Sequence, residues 1–328
     1  MTGPILVTGA TGFIGGRIAR RLTADGRPVR ALARPTSDTS GLTGVELVLG
    51  DLGDAGSLRR AADGCAAAIH CAALVSDWAT RAEIVAANVT GTANVVDACR
   101  AAGVRRLVHL STTDVYGHPG LPRVDESRPP GPFRNWYAQT KLQAETLVRA
   151  ADLQTVIVRP ATVFGPGSVD VVGPIADAVL GGHMILIAQG RANAGLSYVD
   201  NVVDLVVHAL DHAAAPGETF NATDGLDVTW RRFVADLAGG LGGAPARWSL
   251  PYGLAEATGL GLEQAYRLAR RATGLTLPPL LWRQAVQVMG IDQEFSNARA
   301  RRRLGWAPRV SYADGLQATL AWLRARDV

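Results

Sequence analysis

Lys141 is the only lysine among the 33 basic residues of the chain; every other is arginine. It stands four residues after a tyrosine, in Tyr137-Ala138-Gln139-Thr140-Lys141. On a helix, positions i and i+4 share one face, so phenol and ammonium would lie side by side. With six tyrosines in 328 residues, a lysine placed at random falls there roughly 2% of the time, which makes coincidence a weak reading. Guanidinium is a planar fork that stays charged, whereas an ammonium is compact and shifts its pKa readily. A neighbouring cation favours phenolate and lowers a tyrosine from its usual pKa of about 10. Tyr137 is therefore a candidate acid/base group, with Lys141 tuning it.

The elements that must position this pair alternate along the chain. Ile5-Leu6-Val7-Thr8 reads as a short strand, followed by Gly9-Ala10-Thr11-Gly12-Phe13-Ile14-Gly15-Gly16 and a helical pattern through Ile18, Ala19 and Leu22. Strand, glycine turn and helix form the context in which such glycines mean phosphate binding. Gly9 permits a tight turn, Gly12 lets the backbone approach a pyrophosphate, and Gly15 or Gly16 lets helix and strand pack closely. The helix N-terminus behind Thr11, Phe13 and Ile14 then offers amides to a dinucleotide. Val29–Ala33 reads as a second strand. Arg34 follows where many dinucleotide sites keep an acid, with Thr36 and Ser37 beside it. An arginine with hydroxyl neighbours suits a ribose 2′-phosphate, so NADP is expected over NAD. The plainer alternative is an exposed arginine in an arginine-rich chain.

Val45–Leu49 reads as a third strand, ending at Asp51-Leu52. Asp51 is placed to reach an adenine or, more simply, to cap the helix starting near Asp54 and Ser57. Ala66–His70 is a fourth strand, ending at Cys71-Ala72-Ala73, small residues against which a cofactor can lie. His70 sits within this apolar run and is expected to be a packed histidine. A long helix is expected from Glu83 to Ala102, with Asn88 in its middle, a poor helix position. Asn88 is either a structural hydrogen-bonder or the anchor of a proton relay. Arg106–Leu110 forms a fifth strand and ends in Ser111-Thr112-Thr113-Asp114, hydroxyls at the strand end where open α/β sheets bind ligands. A Pro- and Gly-rich loop from His118 to Pro132 precedes the helix of Tyr137, and strand Thr155–Val158 follows it. The alternation implies a doubly wound parallel sheet.

After Arg159-Pro160 the rhythm changes. A turn is expected at Ala161–Gly167, a helix through Ile175–Leu180, and short strands at Met184–Ile187 and Glu218–Asn221. Further helices are expected at Asn201–His212, Trp230–Leu241, Leu254–Thr273 and Ala313–Arg324. The leucine-rich stretch from Trp248 to Met289 is expected to be partly helical core and partly an apolar wall over a substrate. The division is placed at residues 1–165 and 166–328, with a segment of the second part returning to the sheet.

Bulk composition excludes several classes. Hydrophobic content of 48% with 19% charged residues is that of a globular enzyme-sized chain. The formal net charge of +4 is mild and dispersed. Its densest run, Arg299 to Arg303, reads as a solvated helix face rather than a nucleic-acid site. The three cysteines, Cys65, Cys71 and Cys99, are odd in number and lack metal-ligand spacing, so reduced thiols and a cytoplasmic setting are expected. No signal-peptide pattern and no uncharged apolar run of about 18 residues or more is present.

Gly9-x-x-Gly12-x-x-Gly15, Asp51-Leu52, Cys71-Ala72-Ala73, Asn88, Thr112 before Val115-Tyr116-Gly117, and Tyr137-x-x-x-Lys141 occur in order. Arg159-Pro160, Val163-Phe164-Gly165-Pro166-Gly167, Tyr198-Val199-Asp200 and Leu304-Gly305-Trp306-x-Pro308 follow. Along essentially its whole length the chain resembles the extended short-chain dehydrogenase/reductase family. The resemblance implies a Rossmann sheet of about seven strands with a smaller, mainly helical C-terminal substrate domain, and commonly a homodimer. It implies that Tyr137 moves the proton at the reacting oxygen, that Thr112 hydrogen-bonds that oxygen, and that Lys141 lowers the tyrosine pKa and holds the nicotinamide ribose. Pro160 and Val163 join the residues above along the cofactor. Sugar-nucleotide epimerases and dehydratases commonly carry Asn where Thr162 stands and Arg where Ala194 stands, and the acid that often follows the catalytic Thr in the dehydratases is replaced by Thr113. The apolar C-terminal half is similar instead to the 3β-hydroxysteroid dehydrogenase-like branch, and an apolar pocket suits a hydrophobic alcohol or ketone. The resemblance thus implies an NADP-preferring oxidoreductase, with NAD also possible, interconverting a secondary alcohol and a ketone on a small hydrophobic substrate of steroid-like, terpenoid or 3-oxoacyl type. Its rivals are a sugar-nucleotide epimerase or dehydratase, with Arg191 and Arg247 as candidate anion partners, and a non-catalytic NADP-binding regulator.

Overall fold

The structure, a computed structural model, describes residues 3–133, 135–273, 279 and 281–326. Strand β1 (Ile5–Thr8) leads into helix α1 (Phe13–Ala24) and strand β2 (Val29–Ala33). Then come β3 (Glu46–Leu49), α2 (Ala55–Ala62), β4 (Ala67–His70), α3 (Arg81–Val85), a π-helical turn at Ala86–Thr90, α4 (Gly91–Ala101) and β5 (Arg106–Leu110). A tight helical turn at Thr113–Tyr116, α5 (Trp136–Arg149) and β6 (Gln154–Pro160) close this half. The second half holds β7 (Thr162–Phe164), α6 (Val172–Leu180), β8 (Ile185–Ile187), β9 (Leu196–Tyr198), α7 (Val199–Asp211), β10 (Thr219–Ala222), α8 (Trp230–Leu241) and β11 (Trp248–Leu250). Helices α9 (Tyr252–Thr273), α10 (Arg283–Gly290), α11 (Ala298–Leu304) and α12 (Tyr312–Arg326) complete it.

Seven strands form one sheet in the order β10-β6-β5-β4-β1-β2-β3, with every neighbouring pair parallel. Its strands are apolar on both faces because both faces are covered. Ile5 and Val7 point to a layer containing Ile18, Leu22, Val202 and Val206. Leu6, between them, points to the opposite layer with Leu58, Ala61, Val95 and Cys99. The period of two along a strand thus sorts residues into two helix layers, α1 and α7 against α2, α4 and α5. A separate core around Phe164, Trp230, Phe233, Val234 and Leu237 joins the helices of the second half. β10 returns from that half to the sheet edge beside β6, with Phe220 opposite Val158.

Most expected elements lie within a few residues of their sequence positions, and the differences have local causes. The single helix expected from Glu83 to Ala102 is α3, a π-helical turn and α4. Thr80 caps it through a reciprocal pair with Glu83, and the π turn bulges at Asn88. The expected turn at Ala161–Gly167 contains β7, which pairs with β9; three-residue strands leave too few side chains for a period to show. Helices α10 and α11 were not separated from the apolar and arginine-rich runs around them. The stretch from Trp248 to Met289 includes residues 274–278 and 280, which lie outside the described residues. Among the described residues, no helix is long and apolar enough to cross a membrane.

Candidate active site

Parallel register brings the C-terminal ends of β1, β4, β5 and β6 to one edge, where the glycine turn, the Ser111–Asp114 segment and α5 converge. A cleft of about 580 Å³ opens there, lined by the glycine turn, Cys71, Thr112, Tyr137, Lys141, Pro160 and Val163 among others. Gly9 has a left-handed φ of +71°, and a Cβ on it would sit 2.6 Å from the Ala72 backbone nitrogen. A Cβ on Gly15 would lie 2.2 Å from the Gly9 carbonyl oxygen. Gly15 thus makes the closest contact of α1 with the turn, while Gly16 would meet the Ala10 carbonyl at 2.9 Å. Gly12, the N-cap of α1, supplies no side-chain cap, and a Cβ there meets only the Gly9 carbonyl, at 3.3 Å. The cradle is tight on the protein side and leaves the helix N-terminal amides toward the cleft. This fits a dinucleotide diphosphate.

Asn135 caps α5, its Oδ1 accepting the Ala138 amide at 2.7 Å, and so fixes the first turn that carries Tyr137. Lys141, one turn later, is 2% exposed. Its Nζ donates to the Leu110 carbonyl at 2.6 Å and approaches His109 Nε2 at 3.4 Å. Burial lowers its pKa to about 8, against the opposing charge of Glu145. The buried Glu145 carboxylate receives two hydrogen bonds from Arg159, at 2.8 and 2.6 Å. Burial alone would raise Glu145, but Arg159 holds it below its ordinary value.

Lys141, expected to lower the Tyr137 pKa, is not among the influences on it. Burial first, then the negative charge of Asp114, pushes the phenol above its ordinary value, and only the Thr112 hydroxyl works the other way. Thr112 begins the turn after β5, its Oγ1 accepting the Asp114 amide at 3.2 Å. Ser111, the neighbour that could be confused with it, also lines the cleft; its buried hydroxyl helps to hold down the pKa of the Glu145 carboxylate.

The remaining expected residues fall into three groups. Phe13, Ile14, Cys71, Ala73, Pro160 and Val163 line the cleft with Gly9 and Gly12. Ala72 backs Gly9 from behind, and burial pushes the Cys71 thiol up to about 12, so it is no ready nucleophile. Arg34, Asp51 and Leu52 lie beyond the cleft, at the ends of β2 and β3. There Gly50 N donates to the Ala33 carbonyl at 3.0 Å, which brings the two strand ends together. Arg34 is exposed and makes no ion pair among the described residues. Asp51 does not cap α2; Asp54 does, while Asp51 Oδ1 accepts the Gly53 amide at 2.9 Å. Asn88 does not line the cleft. It clamps Leu74, accepting its amide at 2.7 Å and donating to its carbonyl at 3.1 Å, and reaches Thr140 Oγ1 at 3.2 Å. His70 is the packed histidine expected, fully buried between Thr8 and Thr92 hydroxyls at 2.7 and 3.0 Å.

Only part of the Trp248–Met289 stretch, expected to be partly helical core and partly an apolar wall, falls within the described residues. On α9 the leucines turn outward: Leu254, Leu262 and Leu268 are 55%, 43% and 67% exposed. The face toward the site carries Glu263, which is buried, and Arg267. Together with Asp77, Asn135 and Gln284 they line a neighbouring cavity of about 680 Å³, with Trp136 and Trp282. Asp114, His118 and Gln293 line the cleft itself and were not singled out from sequence. Asp114 stands inside a hydroxyl run that hides it; Gln284 and Gln293 come from distant segments that no local pattern links to the site. Arg191 and Arg247, the expected anion partners, are exposed and away from the cleft, Arg191 bonding Gln189 Oε1 at 2.6 Å. Among the described residues no group of three or more His, Cys, Asp or Glu is placed to hold a metal ion.

A seven-stranded parallel sheet with a glycine cradle under a Thr, Tyr and Lys cluster defines an NAD(P)-dependent oxidoreductase of the extended short-chain dehydrogenase/reductase class. The chain belongs to the NAD dependent epimerase/dehydratase family, whose model matches residues 5–223. It is 34% identical, over 95% of its length and 94% of the relative's, to a 4-hydroxy-2-methyl-3-oxo-4-farnesyl-3,4-dihydroquinoline-1-oxide ketoreductase of Stigmatella aurantiaca. It is 33% identical, over 95% of its length and 97% of the relative's, to a 2-alkyl-3-oxoalkanoate reductase of Stenotrophomonas maltophilia. The solved structure of MoeE5 in complex with UDP-glucose and NAD superposes with a TM-score of 0.78 at 25% identity, covering 99% of this chain and 100% of that one.

Proposed function

We propose that the protein interconverts a secondary alcohol and a ketone on a hydrophobic substrate, with NADP preferred over NAD. The observation that carries this reading is the meeting of Thr112, Tyr137 and Lys141 in one cleft with the glycine turn. Tyr137 holds its proton firmly under the influence of burial and Asp114, as suits a group that donates to a developing alkoxide. Thr112 gives the reacting oxygen a second hydrogen bond, and Lys141 swings from the Leu110 carbonyl to a ribose hydroxyl. The cofactor, when bound, supplies or takes the hydride. Gly9, Gly12, Phe13 and Ile14 hold its diphosphate, Cys71, Ala73, Pro160 and Val163 lie along it, and Arg34 reads a 2′-phosphate while Asp51 and Leu52 border the adenine. Asn88 acts one step away by holding Leu74. In this reading residues 1–165 serve the cofactor and 166–328 the substrate, and the protein is a homodimer.

A sugar-nucleotide reading takes support from the likeness to a UDP-glucose complex. The placement of Arg191 and Arg247 away from the cleft weighs against it, since a diphosphate needs donors of that kind. NADPH oxidation with a ketone panel, set beside UDP- and dTDP-sugars, separates the two. Net consumption with ketones alone supports the reading; turnover of sugar nucleotides without net consumption overturns it.

A further inference from the structure

Beneath the site, three polar side chains stand in a row across one face of the sheet. Leu6, Ala68 and Leu107 belong to the layer under α2, α4 and α5. Two residues further along their strands, Thr8, His70 and His109 point to the same side. Parallel register sets Thr8 beside His70 and His70 beside His109, and all three are buried. The protons of His70 can be assigned. Thr92 spends its hydroxyl hydrogen on the Asn88 carbonyl at 2.7 Å, so its oxygen accepts from His70 Nε2 at 3.0 Å. His70 Nδ1 then accepts the Thr8 hydroxyl hydrogen at 2.7 Å. Both nitrogens of His70 are satisfied within the fold.

His109 is held differently. Its Nε2 faces Lys141 Nζ at 3.4 Å, and its ring lies 5.2 Å from that of His70. An ammonium only donates, so Nε2 is the acceptor and the ring hydrogen sits on Nδ1. Nδ1 is buried, and among the described residues it has no hydrogen-bond partner. A buried donor left unmet is costly. Packing alone does not explain it; a task for the opposite nitrogen does. Burial, then the charge of Lys141, keeps both imidazoles neutral, His70 down to about 3 and His109 well below its ordinary value. The other titratable groups about the ammonium are otherwise engaged. The Glu145 carboxylate is bound by Arg159, the Cys71 thiol is pushed up to about 12 and keeps its proton, and Tyr137 stands one turn back on α5. Among the described residues, Nζ has two acceptors, the Leu110 carbonyl at 2.6 Å and His109.

We propose that His109 is a positioning residue for Lys141: its Nε2 lone pair holds one of the three ammonium hydrogens, which keeps the group charged and fixed at the end of β5 beside the cleft. With a second hydrogen on the Leu110 carbonyl, the third is left for the cofactor's ribose. His109 does not line the cleft and acts through the lysine. This rests on the ketone-reductase reading above and adds to it.

The test uses the full chain labelled with carbon-13 at its single lysine. A hydrogen bond to the charged form favours that form. His109→Leu should therefore titrate about one pH unit or more below the wild type, the range of one hydrogen bond to a charged group. The alkaline limb of kcat/KM for ketone reduction should move down by the same amount. His109→Gln, whose amide oxygen can stand where Nε2 stands, should restore both toward wild type, although it lacks the ring just as His109→Leu does. In the wild type, nitrogen-15 spectra near neutral pH should show His109 protonated at Nδ1 and bare at Nε2, the signal being assigned by its loss in His109→Gln. A lysine midpoint in His109→Leu equal to or above that of the wild type overturns the inference. So does an equal shift in the two variants, which would make the packing of the ring the cause. Should His109→Leu fail to fold, the wild-type spectrum decides: protonation at Nε2 overturns the inference, and protonation at Nδ1 with His109→Gln titrating as the wild type supports it. If no ketone is reduced, the reductase reading falls, while the lysine titration still decides whether His109 holds the ammonium.

Discussion

The solitary lysine allows a direct measurement of the group on which the site turns. Lys141 is 2% exposed, and burial brings its pKa from 10.5 to about 8. Growth on lysine labelled with carbon-13 at Cε places one side-chain label in the whole protein, since there is one lysine. Its chemical shift, followed by NMR against pH, should titrate near 8. The same shift has a stability consequence. The unfolded chain keeps its lysine proton up to about 10.5, so between the two pKa values the unfolded state binds more protons. Stability from this group therefore rises with pH across that window. At 1.36 kcal/mol per pKa unit the rise is about 3 kcal/mol. Other groups work against it, because the Cys71 and Cys99 thiols are raised to about 12 and lose their contribution above pH 9. Lys141→Met keeps Cys99 as it is but also removes the ammonium's influence on Cys71, His70 and His109, so the difference between wild type and variant reports the lysine together with the groups it acts on. Urea unfolding at pH 7 and at the upper end of the window should show wild type gaining about 3 kcal/mol relative to Lys141→Met. An NMR midpoint near 10.5, with parallel pH profiles for the two proteins, would falsify the account of Lys141 as a buried, tunable ammonium.

Three further outcomes follow from the geometry. Tyr137→Phe should lower the single-turnover rate of ketone reduction by about 10² or more; a rate near wild type would remove Tyr137 from the chemistry. Arg34→Ala should weaken NADPH binding more than NADH binding, read by fluorescence titration of each cofactor, and equal losses would mean that Arg34 does not read a 2′-phosphate. Gly15→Ala forces a methyl to 2.2 Å from a backbone oxygen, so overpacking of about 1–3 kcal/mol or more is expected, with loss of dinucleotide affinity. Gly12→Ala, at 3.3 Å, should melt close to wild type, and identical melting curves for Gly15→Ala and wild type would contradict the close packing of helix on turn.

What could be read from the sequence and what could not divide along a physical line. Gly9, Gly12 and Gly15, the strand before them and the Tyr137–Lys141 spacing are local patterns, and local patterns carry their own geometry. The sheet was legible for the same reason, since an apolar run at each strand precedes a helix of the opposite period. The direction of a side chain was not legible. Lys141 shares a helix face with Tyr137, yet the Leu110 carbonyl, 31 positions away in the chain, decides where its ammonium points. The stretch from Trp248 to Met289 reads as partly core and partly a wall over the substrate; within it, helical phase against the rest of the fold turns the α9 leucines outward and puts Glu263 and Arg267 inward. Asp114 shows the third limit: its partner Gln284 lies 170 positions away and meets it only in the folded chain.

The same packing explains why this one position kept a lysine. At Lys141 the surrounding acceptors are a carbonyl oxygen, an imidazole nitrogen at 3.4 Å and the field of Glu145, itself spent on Arg159. An ammonium has three donors and can direct them to the carbonyl, the imidazole and a ribose. A guanidinium has five donors in a rigid plane and cannot give up its charge. Placed here it would leave buried donors unmet, each costing about 1–3 kcal/mol, and it would compete with Arg159 for Glu145. Lys141→Arg is therefore expected to be damaging although it conserves charge. The substitution that the rest of the sequence accepts everywhere is the one this pocket excludes.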